Sequence, residues 1–184
     1  MRRLAAALLH HPVLDRQRAI VTTAITNLDL HDISRSVRTY GLSDFFVAHP
    51  VLAQRELAER IREHWISGSG ARRIPDRTPA LEMLRIVTSL DDALAALGTD
   101  TEIWTTSASP RGASLSHRAA RERLHAAGPP VLLVFGTGWG LADEVCERAR
   151  EHLEPIRSLG SDGYNHLSVR AAAAILFDRL CGER

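Results

Sequence analysis

Lysine is absent from this 184-residue chain: all 23 of its basic residues are arginine. With alanine also abundant, that is the mark of a GC-rich coding bias, so arginine content alone does not signal a nucleic-acid binder. Only arginines clustered on one face count. The formal net charge is +1, and so small a balance implies no partner by itself. Cysteine is scarce. Cys146 and Cys181 are the two present and lie far apart, which leaves a disulfide framework or a zinc site unsupported and suits a reducing cytoplasm. No apolar run approaches the length of a membrane span. The opening MRRLAAALLHHP imitates a secretory leader, but its apolar run, 4–9, is short and no small-x-small cleavage site follows, so it reads as a strand. Internal repeats and low-complexity tails are missing too. Length and an apolar content of 45 % allow one domain, 1–184, with a single sizeable core.

What is present centres on residues 131–141, VLLVFGTGWGL. Residues 131–135 form an uninterrupted apolar run between Pro129-Pro130 and Gly136, the pattern of a buried central strand. Gly136, Gly138 and Gly140 follow at alternate positions, where a ligand can lie against the main chain. Asp143 and Glu144 then open a helix at its positive end. Strand, glycine turn and helix N-terminus together make either a ligand-binding corner or a plain tight turn. A dinucleotide fold is excluded by the GxGxG spacing and by the lack of an acidic residue about twenty positions on.

Strands alternate with helices along the rest of the chain, which predicts an α/β sheet. Residues 19–26 are β-branched and read as extended. Asn27 or Asp29 then caps a helix whose apolar stripe is Leu30, Ile33, Val37 and Tyr40, stopped by Gly41. Its other stripe carries His31, Arg35 and Arg38, either an ordinary solvated face or a contact for a polyanion. A strand at 44–49 precedes a helix with Leu57, Ile61 and Trp65 inward. Residues 67–76, SGSGARRIPD, read as the one flexible loop, and its Arg72-Arg73 pair suits either a mobile arm on a polyanion or a plain surface. Thr78-Pro79 starts a short helix, and 85–88 is a strand. Ser89 and Asp92 form a capping-box pair, and 101–107 is a strand ending in hydroxyl residues. A helix at 114–127 leads to the central strand, a second spans 141–153, and a last short strand follows at 153–156. Ser168 caps a final Ala-rich helix, apolar over most of its circumference and suited to a subunit interface or a threaded core.

Three separated stretches stand out: NLDLHDISRSVRTYG at 27–41, FGTGWGL at 135–141, and residues 155–174, ending in YNHLSVRAAAA. In this order they resemble the SPOUT superfamily of S-adenosylmethionine (SAM)-dependent methyltransferases. They resemble most a bacterial family of SAM-dependent RNA methyltransferases, sometimes fused to tRNA (guanine-N1) methyltransferase. HHPV, TNLDLHDI, FGTGWGL and YNHLSVR carry the likeness, which extends over nearly the whole chain. It implies a doubly wound, mostly parallel sheet with a C-terminal trefoil knot. It implies a homodimer in the cytoplasm acting on RNA, with tRNA the expected substrate, and neither metal nor membrane. SAM would lie in the knot against three loops: Thr106, Ser107 and Ala108; Phe135, Gly136, Thr137, Gly138, Trp139, Gly140 and Leu141; and Ile156, Tyr164, Asn165, His166 and Leu167.

A sulfonium methyl is already electrophilic, so such an enzyme needs alignment more than activation. Arg35 stands at the family's early arginine and is expected to orient a phosphate or the acceptor bidentately. Arg38, Arg72 and Arg73 are the expected RNA contacts. His31, Asp32, Asn165 and His166 are the other catalytic candidates, His166 because imidazole titrates near neutrality. His166 also reads as a structural cap, and Tyr164 either stacks on a base or packs. The glycine loop lacks the glutamate common in ribose-methylating relatives, and Asp32 stands where their early motif has asparagine. These departures point to a base nitrogen as acceptor, with Asp32 or a histidine taking the proton. A non-catalytic SAM- or RNA-binding dimer is the alternative from another class, and methyl transfer to a small molecule a third.

Overall fold

Alternate residues of Leu4–Leu9 (β1) serve two cores at once. Leu4, Ala6 and Leu8 belong to one buried cluster, and Ala5, Ala7 and Leu9 to a second. A strand covered on both faces has no polar position, which is why it reads as continuous apolar sequence. The computed structural model describes residues 1–183. After β1 come the strands Val13–Leu14 (β2), Ile20–Val21 (β3), Phe45–Ala48 (β4), Leu84–Val87 (β5), Glu102–Thr105 (β6), Val131–Gly136 (β7) and Glu151–His152 (β8). The helices are Asn27–Thr39 (α1), Leu52–Ile66 (α2), Ser69–Arg73 (α3), Thr78–Leu81 (α4), Leu90–Leu97 (α5), His117–His125 (α6), Asp143–Glu147 (α7) and Val169–Cys181 (α8), with a 3-10 turn at Pro75–Arg77.

The main sheet runs β5-β4-β1-β7-β6-β8 with every pair parallel. One core cluster takes buried residues from α1, α2, α4, α6 and α8, and the other from α5 and α7, so helices cover both faces. The chain leaves β1 through β4 to β5, then crosses to the far side for β6 and returns to insert β7 beside β1. Connections after β1 and β7 therefore diverge, and such a switch point opens a crevice at the C-terminal strand ends. The register brings Leu9 opposite Gly136 and Thr105 opposite Val134, so the loops of interest leave the sheet at one edge.

Several expectations are corrected by tertiary contacts. Residues 67–76 are not a flexible loop: they form α3 and the 3-10 turn. Gly70 lets α3 close onto α2, since a β-carbon there would stand 2.7 Å from the His64 ring and 2.8 Å from Trp65. The helix expected over 141–153 is only α7, because the edge of β6 captures the chain: Arg150 N–H donates to Ile103 O at 2.8 Å and Leu153 N–H to Thr105 O at 2.9 Å. The last strand is accordingly β8, at Glu151–His152. Of residues 19–26 only Ile20–Val21 pairs, as a hairpin with β2 turned by the Asp15 carboxylate, which accepts from Gln17 and Ala19. Thr26, not Asn27 or Asp29, caps α1, its hydroxyl accepting from Asp29 N–H. The Ser89–Asp92 capping box and the Ser168 cap are present. The side of α8 away from its buried Ala173, Leu176, Phe177 and Leu180 is only half covered.

Asp44 holds one end of the sheet. Its carboxylate is 5 % exposed and accepts from Arg3 at 2.8 Å and Arg85 at 2.5 Å, tying the starts of β1 and β5 to β4. Burial works against its charge, but hydrogen bonds from Arg3, Arg85 and Ser43 outweigh that and hold its pKa below 3.8. Asp44→Asn is expected to cost about 2 kcal/mol at neutral pH. A carboxylate with a depressed folded pKa stabilises above its unfolded value and loses that as pH falls through the folded one. In urea titrations the gap between wild type and variant should thus close only below the ordinary carboxylate range. A gap that is constant with pH contradicts the assignment.

Candidate functional site

At the C-terminal edge of the sheet lies a cavity of about 690 Å3, within the range of small-molecule sites. Thr106, Ser107, Ala108 and Ser109, following β6, line one wall, and Phe135 through Gly140, ending β7, line another. Ile156 and the run Asn165, His166, Leu167, Ser168, Val169 and Arg170 close the third. Asn165 joins these walls. Its amide donates to Ala108 O at 3.3 Å and to Ile156 O at 3.0 Å. His166 sits between rings, its centroid 6.3 Å from Trp139 and 5.4 Å from Tyr164.

Two expected wall residues fall elsewhere. Leu141 is buried in the core under the sheet, and Tyr164 is 66 % exposed, outside the lining. The sequence reading missed Ala24, Thr26 and Asp29 at the entrance to α1, together with Glu154, Arg170, Ala172 and Leu176. The stretch NLDLHD offers two carboxylates, and the one that meets the cavity is Asp29, not Asp32. Asp29 is nearly buried and bonded to Thr26, with Arg170 at 3.3 Å. Asp32 is outside the lining, with its carboxylate 3.5 Å from the same Arg170. Arg35 and Arg38 are exposed on α1, and Arg72 and Arg73 on α3, all outside the cavity. His31 departs from both readings of its stripe, a solvated face or a contact for a polyanion. It is buried edge-on against Trp65 at 5.0 Å, and burial followed by the charge of Arg77 lowers its pKa.

The glycine turn is shaped by close backbone approach. Gly138 takes φ +59°, and a β-carbon on it would stand 2.8 Å from Leu14 O; one on Gly136 would stand 2.8 Å from Leu141 N. Trp139 N–H donates to Leu14 O and Leu14 N–H to Gly140 O, lacing the turn to β2. Beneath it Thr23 is a polar node. Its hydroxyl contacts both His10 Nδ1, at 3.0 Å, and Thr137 Oγ1, and its N–H donates to His10 O. His49 Nδ1 accepts from Val51 N–H, so Nε2 carries the proton and donates to Thr23 O at 2.9 Å. Burial, then the neighbouring His49, pushes the pKa of His10 down to about 4, so it is neutral in the fold.

The sequence matches, over residues 3–182, the family described as SAM-dependent RNA methyltransferase. The chain belongs to that family. It is 44 % identical to the tRNA (guanine-N(1)-)-methyltransferase of Nitratidesulfovibrio vulgaris and 42 % to that of Oleidesulfovibrio alaskensis, covering 99 % of this chain in each case. It spans only 43 % of the length of either relative. An uncharacterised protein of Aquifex aeolicus is 33 % identical over 95 % of this chain and 86 % of its own. Solved structures share the fold. TrmJ from Z. mobilis superposes with a TM-score of 0.61 at 18 % identity, over 98 % of this chain and 69 % of that one. The SpoU methyltransferase AviRb from Streptomyces viridochromogenes, in complex with AdoMet, superposes with a TM-score of 0.58 at 12 % identity, over 98 % and 58 %. The fold is thus that of the SpoU and TrmJ structures, and the family to which the chain belongs uses SAM as cofactor.

The cavity fits that cofactor. Ser107, Ala108, Ile156 and Leu167 have backbone N–H groups with no hydrogen bond among the described residues, and all four line it. Unpaired main-chain donors beside the apolar Ile156, Leu167 and Leu176 suit a nucleoside: a flat base with a polar edge and a hydroxylated sugar. No group of three or more His, Cys, Asp or Glu among the described residues is placed to hold a metal.

Asn165→Ala removes the tie between walls. It should weaken SAM binding about tenfold in calorimetry with little change in unfolding midpoint; undiminished affinity contradicts that role. A histidine kept neutral by the fold stabilises above its unfolded pKa of 6.5 and loses that as pH drops toward its folded value near 4. Wild type should lose about 3 kcal/mol more than His10→Gln across that window. Parallel urea-stability curves for the two would refute the buried neutral state.

Proposed function

We propose that this chain is a homodimeric, cytoplasmic methyltransferase that modifies a base nitrogen of tRNA, with SAM held in a trefoil-knotted C-terminal half. The observation that carries the reading is Asn165, which bonds the loop after β6 and the segment before α8 at the wall of one cavity. Threading is supported by how that segment runs: Leu115 N–H donates to His152 O and Glu154 N–H to Leu115 O, so the chain passes alongside the approach to α6 before α8 packs on α1 and α6. The half-covered side of α8 supports pairing of two copies. The likeness to part of the tRNA (guanine-N(1)-)-methyltransferases supports tRNA as the substrate, and the absence of a glutamate from the glycine loop supports a base nitrogen as the acceptor.

When bound, SAM supplies an electrophilic methyl on sulfur. The residues Thr106, Ser107, Ala108, Phe135 to Gly140, Ile156, Asn165, His166 and Leu167 hold the nucleoside mainly through main-chain groups. Trp139, His166 and Tyr164 offer ring faces at the mouth for the incoming base. Arg35 is exposed and lies outside its own cavity, which supports its reaching into the partner's, where its guanidinium grips a phosphate or the acceptor. The acceptor's proton passes to a group in the lining. His166 and Asp29 stand there, whereas Asp32 and His31 do not.

Nucleosides of deletion cells should lack one methylated base of tRNA that wild type restores and Arg35→Ala does not. Arg35→Ala should still bind SAM. Mixed with Asn165→Ala protein it should regain part of the activity, since a heterodimer has one site with both residues intact. An unaltered nucleoside profile overturns the tRNA reading. Failure of mixing to restore activity overturns the shared site.

A further inference from the structure

Trp65, on α2, gathers charge around it. The Arg77 guanidinium stacks over its ring with Cζ 4.7 Å from the centroid, and His31 and His64 meet the ring edge-on at 5.0 and 5.3 Å. Arg77, Arg35 and His64 all repel a proton on His31, so their fields converge at one spot, where Asp32 alone acts the other way. Arg72 and Arg73 are exposed on α3, which is pinned to α2 by the close approach at Gly70, while Thr78 bonds Trp65 O at 2.8 Å. None of Arg35, Arg72, Arg73 and Arg77 makes an ion pair among the described residues. Against them stand Asp32, which contacts Arg170, and the exposed Asp76. The acidic residues Glu56, Glu59 and Glu63 lie on another face of α2, around Ile86.

We propose that this Trp65-centred junction of α1, α2, α3 and the 3-10 turn docks the phosphate backbone of the RNA substrate, outside the methyl-transfer cavity. The proposal rests on the RNA methyltransferase reading and adds where the bulk of the RNA is held. Four unpaired guanidinium groups on a packed scaffold repel one another, and a polyanion relieves that repulsion. Arg77, already held over an indole ring, loses little freedom on meeting a phosphate. Arg35 belongs both to the junction and to the proposed reach into the partner's cavity. RNA docked on one subunit is therefore delivered to the active site of the other.

The test is bulk tRNA binding to the full chain, by fluorescence anisotropy across a salt series, for wild type, Arg72→Gln/Arg73→Gln and Arg77→Gln. SAM calorimetry on each protein reports on the cavity. The double variant should bind tRNA about tenfold more weakly, with a log–log salt slope flatter by about 1 to 2, while SAM affinity and unfolding midpoint stay unchanged. The Arg77 variant should shift affinity in the same direction. Unchanged tRNA affinity and slope in the double variant overturn the docking surface. Displacement of tRNA by polyglutamate at equal charge concentration overturns it in favour of an acidic protein partner. Wild type that binds SAM but no tRNA overturns the substrate reading itself.

Discussion

The pairing of β1 with β7 is the constraint on which the site depends. Leu4↔Val131 through Leu9↔Gly136 join segments more than a hundred residues apart in sequence, both almost wholly buried. Because the strands are parallel and in step, the chain emerges from both at one level. His10 and the glycine turn are therefore neighbours, and Thr137 N–H can donate to Leu9 O. A slip of one residue would move every β7 side chain to the wrong core and lift the turn off β2. The cavity is a consequence of that register, for β6 pairs with the other edge of β7 and brings Thr106 alongside.

The strands were legible because a doubly covered strand leaves no room for polar residues, and the caps because Ser89, Asp92 and Ser168 act through local hydrogen bonds. The glycine turn was legible for a similar reason, since its backbone demands are local. Where long-range contact decides, sequence reading fell short. A Ser/Gly-rich stretch became a helix because α2 offered it a surface. The helix expected after the turn stopped early because the open edge of β6 claimed its backbone. His31 reads as solvated on a helical wheel, and only the packing of Trp65 from another helix buries it. Asp29 and Asp32 flank one turn of α1. Which of them meets the cavity depends on how α1 sits against α8, and no periodicity within α1 carries that.

Two kinds of polar structure divide the labour. Beneath the turn, the buried His10 and His49 and the half-buried Thr23 and Thr137 are hydrogen-bonded to one another or to the main chain, which fixes geometry at low dielectric. Outside, Arg35, Arg72 and Arg73 are exposed and Arg77 half-buried against Trp65, all without ion-pair partners among the described residues, an arrangement suited to a long charged ligand and not to holding the fold. The Arg170 contacts with Asp29 and Asp32 lie between, linking the first turns of α8 and α1 at the cavity wall.

Amide hydrogen exchange with and without SAM tests the central claim most directly, because the fold brings main-chain groups of three distant loops to one cavity. Saturating SAM should slow exchange together in 106–109, 136–140 and 156–167 and leave 69–77 unchanged. Protection confined to the glycine turn, or appearing at 69–77 in place of these loops, would contradict the account.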